Sequence, residues 1–324
     1  MTDDTMDTLF VVAGLIALAL GGELLIRGAL AAARRLGVSP LMAGLVIVGF
    51  GTSAPELVVS LDATFAGRPA IAIGNVVGSN IGNVLLILGT CAVITPLGVN
   101  ARALRRDGTM MGSATVLFIL LAAGGFSRGD GLVLFAALLG YLGWAYWSER
   151  YRGAPAAKVH QAEADELSAL PRGVGTTALS LVGGLLLLVG GSRFLVIGAV
   201  SAARELGVPD TVIGVTLVAV GTSLPEFAVS LMAALRRHAD VAVGNILGSN
   251  IFNILGILGL AALLHPLPAD ERILRFDQWV MLAAAAALLG FLYTGLRLVR
   301  WEGAVLIGVY IAYIVVGFAT AVAP

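Results

Sequence analysis

The sequence predicts an all-α polytopic membrane protein whose ten transmembrane helices form two inverted five-helix repeats, and three observations carry that prediction. The chain of 324 residues is 58% hydrophobic and only 12% charged, with a mean hydropathy of +0.96, whereas about a quarter of a soluble domain is charged. Apolar runs of about 20 residues, the length that crosses a hydrocarbon core about 30 Å thick, fall at 8–26, 40–66, 71–97, 108–125, 130–148, 174–196, 209–235, 241–267, 276–296 and 303–322. Finally, GTSAPELVVSL at 51–61 returns as GTSLPEFAVSL at 221–231, and GNVVGSNIGN at 74–83 returns as GNILGSNIFN at 244–253, both at one common offset.

The first helix, 8–26, and its mate, 174–196, hold few polar residues but several glycines, Gly21-Gly22, Gly183-Gly184 and Gly190-Gly191. Such stretches allow close, sliding helix contact. Glu23 can snorkel to the interface or pair with Arg27 one turn on. The helices at 71–97 and 241–267 carry Asn, Ser and Gly through their first halves and are expected to score lower on hydropathy, yet the repeat supports them as a pair. Asp240 is an N-cap candidate for the second of these. Cys91, the single cysteine, lies in an apolar helix and reads as a packing residue. Residues 150–172 contain two prolines, mixed charge and no apolar period, which marks a cytoplasmic linker. At about 23 residues it is too short for a folded regulatory domain. The chain thus divides into a first repeat at 1–149, the linker, and a second repeat at 173–324.

Topology follows from charge. Fourteen of the 20 basic residues, among them Arg34, Arg35, Arg105, Arg106, Arg236 and Arg237, fall in the odd-numbered gaps between helices. The positive-inside rule places those gaps in the cytoplasm and both termini outside. The acidic start MTDDTMDT lacks the basic stretch of a secretory signal. A multi-pass protein of the cell (inner) membrane is expected, with the lipid bilayer as its surroundings and nothing that points to nucleic acid or an obligatory protein partner. Five helices per repeat is an odd number, so the second copy enters the membrane from the opposite side. Folds of this kind hold their substrate near the midplane, on helices interrupted by Gly or Pro.

The interruptions lie in the motifs. In GTSAPE, Pro55 lacks an amide hydrogen and frees backbone oxygen about one turn earlier, near Gly51. Thr52 and Ser53 add hydroxyls and Glu56 a carboxylate; the second copy supplies Gly221, Thr222, Ser223, Pro225 and Glu226. Ionisable residues within a span are functional by default, and no Lys or Arg lies in these core segments to pair with the two acids. In the second motif Ser79 and Asn83 share one helix face, as do Ser249 and Asn253. Two carboxylates with hydroxyls, carbonyls and amides make an all-oxygen site for a hard cation. Asn75, Asn80, Asn245 and Asn250 read as capping or interhelical hydrogen-bonding residues, and Gly74, Gly78, Gly244 and Gly248 as close-packing positions. Asp62, which faces Met232 in the repeat alignment, reads as a helix-end acid hydrated at the outer interface, with the lining of an extracellular-side vestibule as the second reading.

Both motifs closely resemble the alpha-repeats of the cation/calcium exchanger superfamily, here at 44–97 and 214–267, and the compact form is similar to the prokaryotic sodium/calcium exchangers. The resemblance implies that Glu56, Glu226, Asn83 and Asn253 form a central diamond of side chains. It further implies flanking ligands from Thr52, Ser53, Thr222, Ser223, Ser79 and Ser249 and from the carbonyls of Gly49 and Ala219. Family members often carry Asp where Asn253 stands, so one acid is absent here. Ca2+ efflux driven by Na+ influx is what the resemblance implies; no cofactor and no enzymatic activity are expected. Proton-coupled exchange, or exchange of another divalent ion, is the runner-up. A cation channel also places acids at midplane, but broken helices in an inverted repeat suit rocking between two states better. An intramembrane hydrolase using Ser53 or Ser223 lacks a positioned base.

Overall fold

The computed structural model of the chain describes residues 3–151, 171, 173–205 and 219–322. In chain order its helices are α1 (Asp3–Leu36), α2 (Pro40–Thr52), α3 (Ala54–Phe65), α4 (Pro69–Ile94), α5 (Ala101–Ala122), α6 (Arg128–Tyr151), α7 (Val174–Glu205), α8 (Ala219–Thr222), α9 (Leu224–Leu235), α10 (Ala239–Leu264), α11 (Ile273–Gly295) and α12 (Arg300–Val322). Seven of them are long and apolar enough to cross a membrane, and the bent pair α2–α3 makes eight. Helix α5 spans 22 residues but carries Arg105, Arg106 and Asp107; α9 has only 12 residues. The expected linker at 150–172 lies outside the described residues apart from the end of α6 and Pro171, as does the stretch 209–218 that opens the expected span at 209–235.

Local chemistry sets the helix ends. Arg34 and Arg35 occupy the last turn of α1, where cations complement the helix dipole. Gly37 then takes φ +68° and the Val38 amide donates back to the Ala33 carbonyl at 3.0 Å, a glycine-dependent C-terminal cap. Ser39 accepts from the Met42 amide at 3.2 Å and Pro40 opens α2. Helix α3 stops the same way, with Gly67 at φ +68° and the Arg68 amide on the Ala63 carbonyl at 2.8 Å. In the second copy Arg237 adopts this left-handed conformation at φ 63°. Asp240 is not the N-cap of α10: the helix begins at Ala239 after His238, which puts Asp240 in the first turn. An acid there still favours the helix dipole, so only the boundary shifts.

At 34 residues α1 is about 51 Å long at 1.5 Å per residue, well beyond the apolar run at 8–26. It runs antiparallel to α7 along a seam of glycines at heptad spacing. A Cβ built on Gly14, Gly21 or Gly28 would come within 3.0 Å of α7, and one on Gly184, Gly191 or Gly198 within 3.0 Å of α1. Gly21, Gly184 and Gly191 of the expected glycine pairs form this seam, whereas Gly22 faces Ala228 and Met232 of α9. Glu23 pairs with Arg27 at 2.7 Å as expected and also with Arg236 at 3.1 Å, which ties α1 to the end of α9.

Helices α4 and α10 form the interior. Their most apolar stretches are 67% and 83% buried within the protein, against 33% in α1 and 28% in α7. Contrary to the sequence expectation, both are more hydropathic as spans than α6, α11 or α12, and Ser79, Asn80, Asn83, Asn245, Ser249, Asn250 and Asn253 are buried within the protein, so lipid makes no demand on them. Gly244 packs against α2 so closely that a Cβ would stand 2.5 Å from the Leu41 carbonyl oxygen, and one on Gly248 would overlap the Leu45 carbonyl. The second-copy counterparts of Leu41 and Leu45, Thr211 and Val215, lie outside the described residues. Short antiparallel strands β1 (Leu97–Gly98) and β2 (Arg297–Leu298) pair Leu97 with Leu298 and Gly98 with Arg297, and Phe126 bridges Leu267. Each of these pairings joins the first half of the chain to the second.

Among the described residues, two buried aspartates outside the motifs hold matched ion pairs, Asp107 with a buried arginine and Asp277 with a half-exposed one. Asp107 accepts from Arg106 Nε at 2.5 Å, Arg106 Nη2 at 2.9 Å and the Tyr141 hydroxyl at 2.8 Å, which fastens α5 to α6. Asp277 accepts from Arg272 Nε at 3.2 Å and the Tyr313 hydroxyl at 3.0 Å, which fastens α11 to α12.

Candidate cation site

The two breaks, at Ser53 and Ser223, bring the two halves of the site together. Each break reads S-x-x-E, Ser53 to Glu56 and Ser223 to Glu226, the pattern in which the serine caps its own helix. Neither serine does so. The Ser53 hydroxyl instead donates to Glu226 Oε1 at 2.8 Å, and the Ser223 hydroxyl donates to Glu56 Oε1 at 3.1 Å. The two bonds exchange when each residue is replaced by its counterpart in the other copy. Both carboxylates are 1% exposed, and among the described residues no lysine or arginine lies within bridging distance of either.

The surrounding amides are arranged with the same reciprocity. Asn75 donates to the Glu56 carbonyl at 3.0 Å and to the Ser60 hydroxyl at 2.9 Å, while Asn245 donates to the Glu226 carbonyl at 3.3 Å and to the Ser230 hydroxyl at 2.8 Å. These amides brace the broken helices, as the interhelical reading of the sequence expects. Asn83 donates to Asn250 Oδ1 at 3.0 Å and Asn253 donates to Asn80 Oδ1 at 3.3 Å. Asn83 opens and Asn253 lies within a stretch of wide, π-type turns, Asn83–Leu88 and Phe252–Leu258, a distortion frequent at functional sites.

Six buried side-chain oxygens have no hydrogen-bond partner among the described residues, and four of them are Glu56 Oε2, Glu226 Oε2, Asn83 Oδ1 and Asn253 Oδ1. Buried oxygens left unpaired cost free energy unless a cation or water satisfies them. One such oxygen therefore comes from each of the four side chains expected at the centre. The flanking residues divide. Ser249 donates to the Gly49 carbonyl at 3.1 Å, the Thr52 hydroxyl lies 3.3 Å from the same oxygen and 3.2 Å from Asn245 Oδ1, and the Ser53 amide donates to it at 3.2 Å. The Gly49 carbonyl is thus held by protein donors, and a cation reaching it displaces a hydroxyl. Thr222 ends α8 and Ala219 begins it; Ser79 is buried one turn before Asn83. Asp62 is exposed. His238 precedes α10 and His265 follows it, both away from the acids, and His160 lies outside the described residues. Among the described residues no three His, Cys, Asp or Glu side chains cluster, so the chemistry on offer is two carboxylates with neutral oxygens, the donor set of a hard cation.

Sequence reasoning passed over Asp107, Asp277, Met111 and Met281. The signal was present: Asp107 and Asp277 are acids at the same offset that relates Glu56 to Glu226, and Met111 and Met281 repeat at that offset too. Each of these matches is a single letter with no repeated immediate neighbours to mark it.

Comparison with known proteins shows the family. The family described as sodium/calcium exchanger protein matches residues 6–147 and 176–319. The sodium/calcium exchanger MaX1 of Methanosarcina acetivorans is 37% identical over 97% of this chain and 99% of its own. The inner membrane protein YrbG of Escherichia coli is 35% identical over 85% of each chain. Among solved structures, the sodium-calcium exchanger NCX_Mj superposes with a TM-score of 0.82 at 32% identity, covering 96% of this chain and 98% of that one. With both halves matched and the fold shared, the chain belongs to the sodium/calcium exchanger protein family.

Proposed function

We propose that the protein is a secondary-active antiporter that carries Ca2+ out of the cell in exchange for Na+, by alternating access around the Glu56–Glu226 site. The observation that carries this reading is the set of four orphaned oxygens, two from carboxylates and two from amides, in a buried setting with no protein cation among the described residues. A dehydrated Ca2+ takes six to eight such oxygens, and two carboxylates cancel its charge. Thr52, Thr222, Ser79, Ser249 and the Gly49 and Ala219 carbonyls are the flanking donors. Family membership supports antiport of a cation, and the names of MaX1 and NCX_Mj favour Na+ as the coupling ion.

The eight crossing-length elements, together with α5 and the segment that ends in α9, make ten spans. Five belong to each half, 1–149 and 173–324, with 150–172 as a cytoplasmic linker and both termini outside the cell membrane. The reciprocal bonds between matching residues of the two copies support an inverted repeat. Helices α1 and α7, packed on each other through glycine, are the pair that slides across the remaining core and exposes the site to one side at a time.

Purified protein in liposomes, loaded with 45Ca2+ and exposed to opposed Na+ or H+ gradients, tests the reading. Ca2+ movement driven by the Na+ gradient is expected. Movement driven only by protons reassigns the coupling ion, and single-channel current without gradient coupling refutes antiport.

A further inference from the structure

Behind the amides of the site lie two matched chains of contacts. Asn80 Nδ2 donates to the thioether sulfur of Met281 at 3.7 Å, and Asn80 Oδ1 accepts from Asn253 Nδ2 at 3.3 Å, which leaves Asn253 Oδ1 unpaired. On the other side Asn250 Nδ2 donates to Met111 Sδ at 3.8 Å, and Asn250 Oδ1 accepts from Asn83 Nδ2 at 3.0 Å, which leaves Asn83 Oδ1 unpaired. All six residues are at most 3% exposed. The chains exchange under the repeat offset, and each crosses between the halves of the protein more than once.

An asparagine amide is nearly symmetric in shape, so packing alone does not decide which end is oxygen; the hydrogen-bond partners do. A thioether accepts but cannot donate. With sulfur on one side, Asn80 must turn its NH2 toward Met281 and its oxygen toward Asn253. The reversed amide would set two NH2 groups against each other and an oxygen against sulfur. Asn253 is then forced to give its NH2 to Asn80 and to keep its oxygen free, and Asn83 is oriented by Asn250 in the same way. Were either amide reversed, it would point a donor at a bound cation.

We propose that Met111 and Met281 are positioning residues that set the polarity of the ligand amides, Met281 through Asn80 for Asn253 and Met111 through Asn250 for Asn83. This rests on the reading of Glu56, Glu226, Asn83 and Asn253 as the cation site. The two chains are unequal. Asn250 Nδ2 has a second acceptor, the Asn80 carbonyl at 3.4 Å, whereas Met281 is the one acceptor of Asn80 Nδ2 among the described residues. Met281 therefore controls its chain alone, and Met111 shares control of the other.

Leucine keeps the volume of methionine and removes the acceptor. Equilibrium Ca2+ binding and 45Ca2+ flux on Met281→Leu, Met111→Leu, Asn80→Ala and Met281→Leu/Asn80→Ala test the proposal, with Glu56→Gln as control. Met281→Leu should raise the dissociation constant for Ca2+ about 3- to 10-fold, the scale of one modest hydrogen bond, and raise the half-saturating Ca2+ concentration of transport with little change in maximal rate. Met111→Leu should change affinity less than Met281→Leu. The double variant should bind no more weakly than Asn80→Ala alone, because both changes act through one chain. A packing role would instead lower the melting temperature of the ion-free protein and leave affinity unchanged. If Glu56→Gln binds Ca2+ as wild type does, the assignment of the site itself fails. If Glu56→Gln loses binding while Met281→Leu and Asn80→Ala both keep wild-type affinity, the relay is wrong and the site stands.

Discussion

Replacing Glu56 by glutamine removes one negative charge and almost nothing else. The Gln amide has the size of the carboxylate, and its oxygen can still accept from the Ser223 hydroxyl that now donates to Glu56 Oε1 at 3.1 Å. What disappears is half the charge facing a divalent ion in a site 1% exposed. Removing one partner of a buried charge interaction costs about 3–5 kcal/mol, which weakens Ca2+ binding by roughly 150-fold or more at about 1.4 kcal/mol per decade. The ion-free protein should respond in the opposite sense. Two buried carboxylates share this site with no protein cation among the described residues, so neutralising one relieves repulsion, and the ion-free melting temperature should stay level or rise. Calorimetric Ca2+ titration, paired with melting curves in chelator and in Ca2+, reads both signs at once. Wild-type melting should rise with Ca2+, since a ligand that binds only the folded state stabilises it; the variant should show no such rise. A folded Glu56→Gln protein that binds Ca2+ within tenfold of wild type would refute the reasoning, and so would a variant that loses binding because it melts far earlier in chelator.

The two buried aspartates should differ in weight. Asp107→Asn breaks a pair in which Arg106 is 7% exposed and Asp107 is 0% exposed, and should cost about 3 kcal/mol of stability; Asp277→Asn faces an Arg272 that is 45% exposed and should cost under about 1 kcal/mol, both read as thermal shifts. Along the glycine seam, Gly191→Ala would place a Cβ 2.9 Å from the Leu18 amide nitrogen and should destabilise the α1–α7 pair by about 1–3 kcal/mol and slow flux, whereas Gly190→Ala, which points off the seam, should leave both unchanged. A Cβ built on Gly22 stands 3.6 Å from Met232 Cβ, a spacing suited to a disulfide. Gly22→Cys/Met232→Cys in a Cys91→Ser background should cross-link α1 to α9 and stop 45Ca2+ flux until reduced, and full-rate flux in the cross-linked protein would mean that α1 does not slide.

Much of this protein could be read from its sequence because duplication writes the same physics twice. The constant offset between the copies identified Glu56 with Glu226 and Asn83 with Asn253, and the prolines beside Ser53 and Ser223 located the breaks, since a missing amide hydrogen interrupts a helix wherever it occurs. Membrane burial of acids without basic partners pointed to a cation for a reason of solvation that needs no coordinates. Other features depend on which surfaces meet. Ser53 and Ser223 carry the local signature of a cap, yet each bonds the other half's glutamate, because reaching across is possible only when the two breaks face each other. The Asn and Ser side chains along α4 and α10 read as a weakness in a membrane span until packing placed most of them inside the protein. Asp107 and Asp277, and the methionines behind Asn80 and Asn250, repeat in the sequence as single letters with no local pattern around them. Their partners come from other helices, and only the tertiary structure decides that a sulfur stands where an amide needs an acceptor.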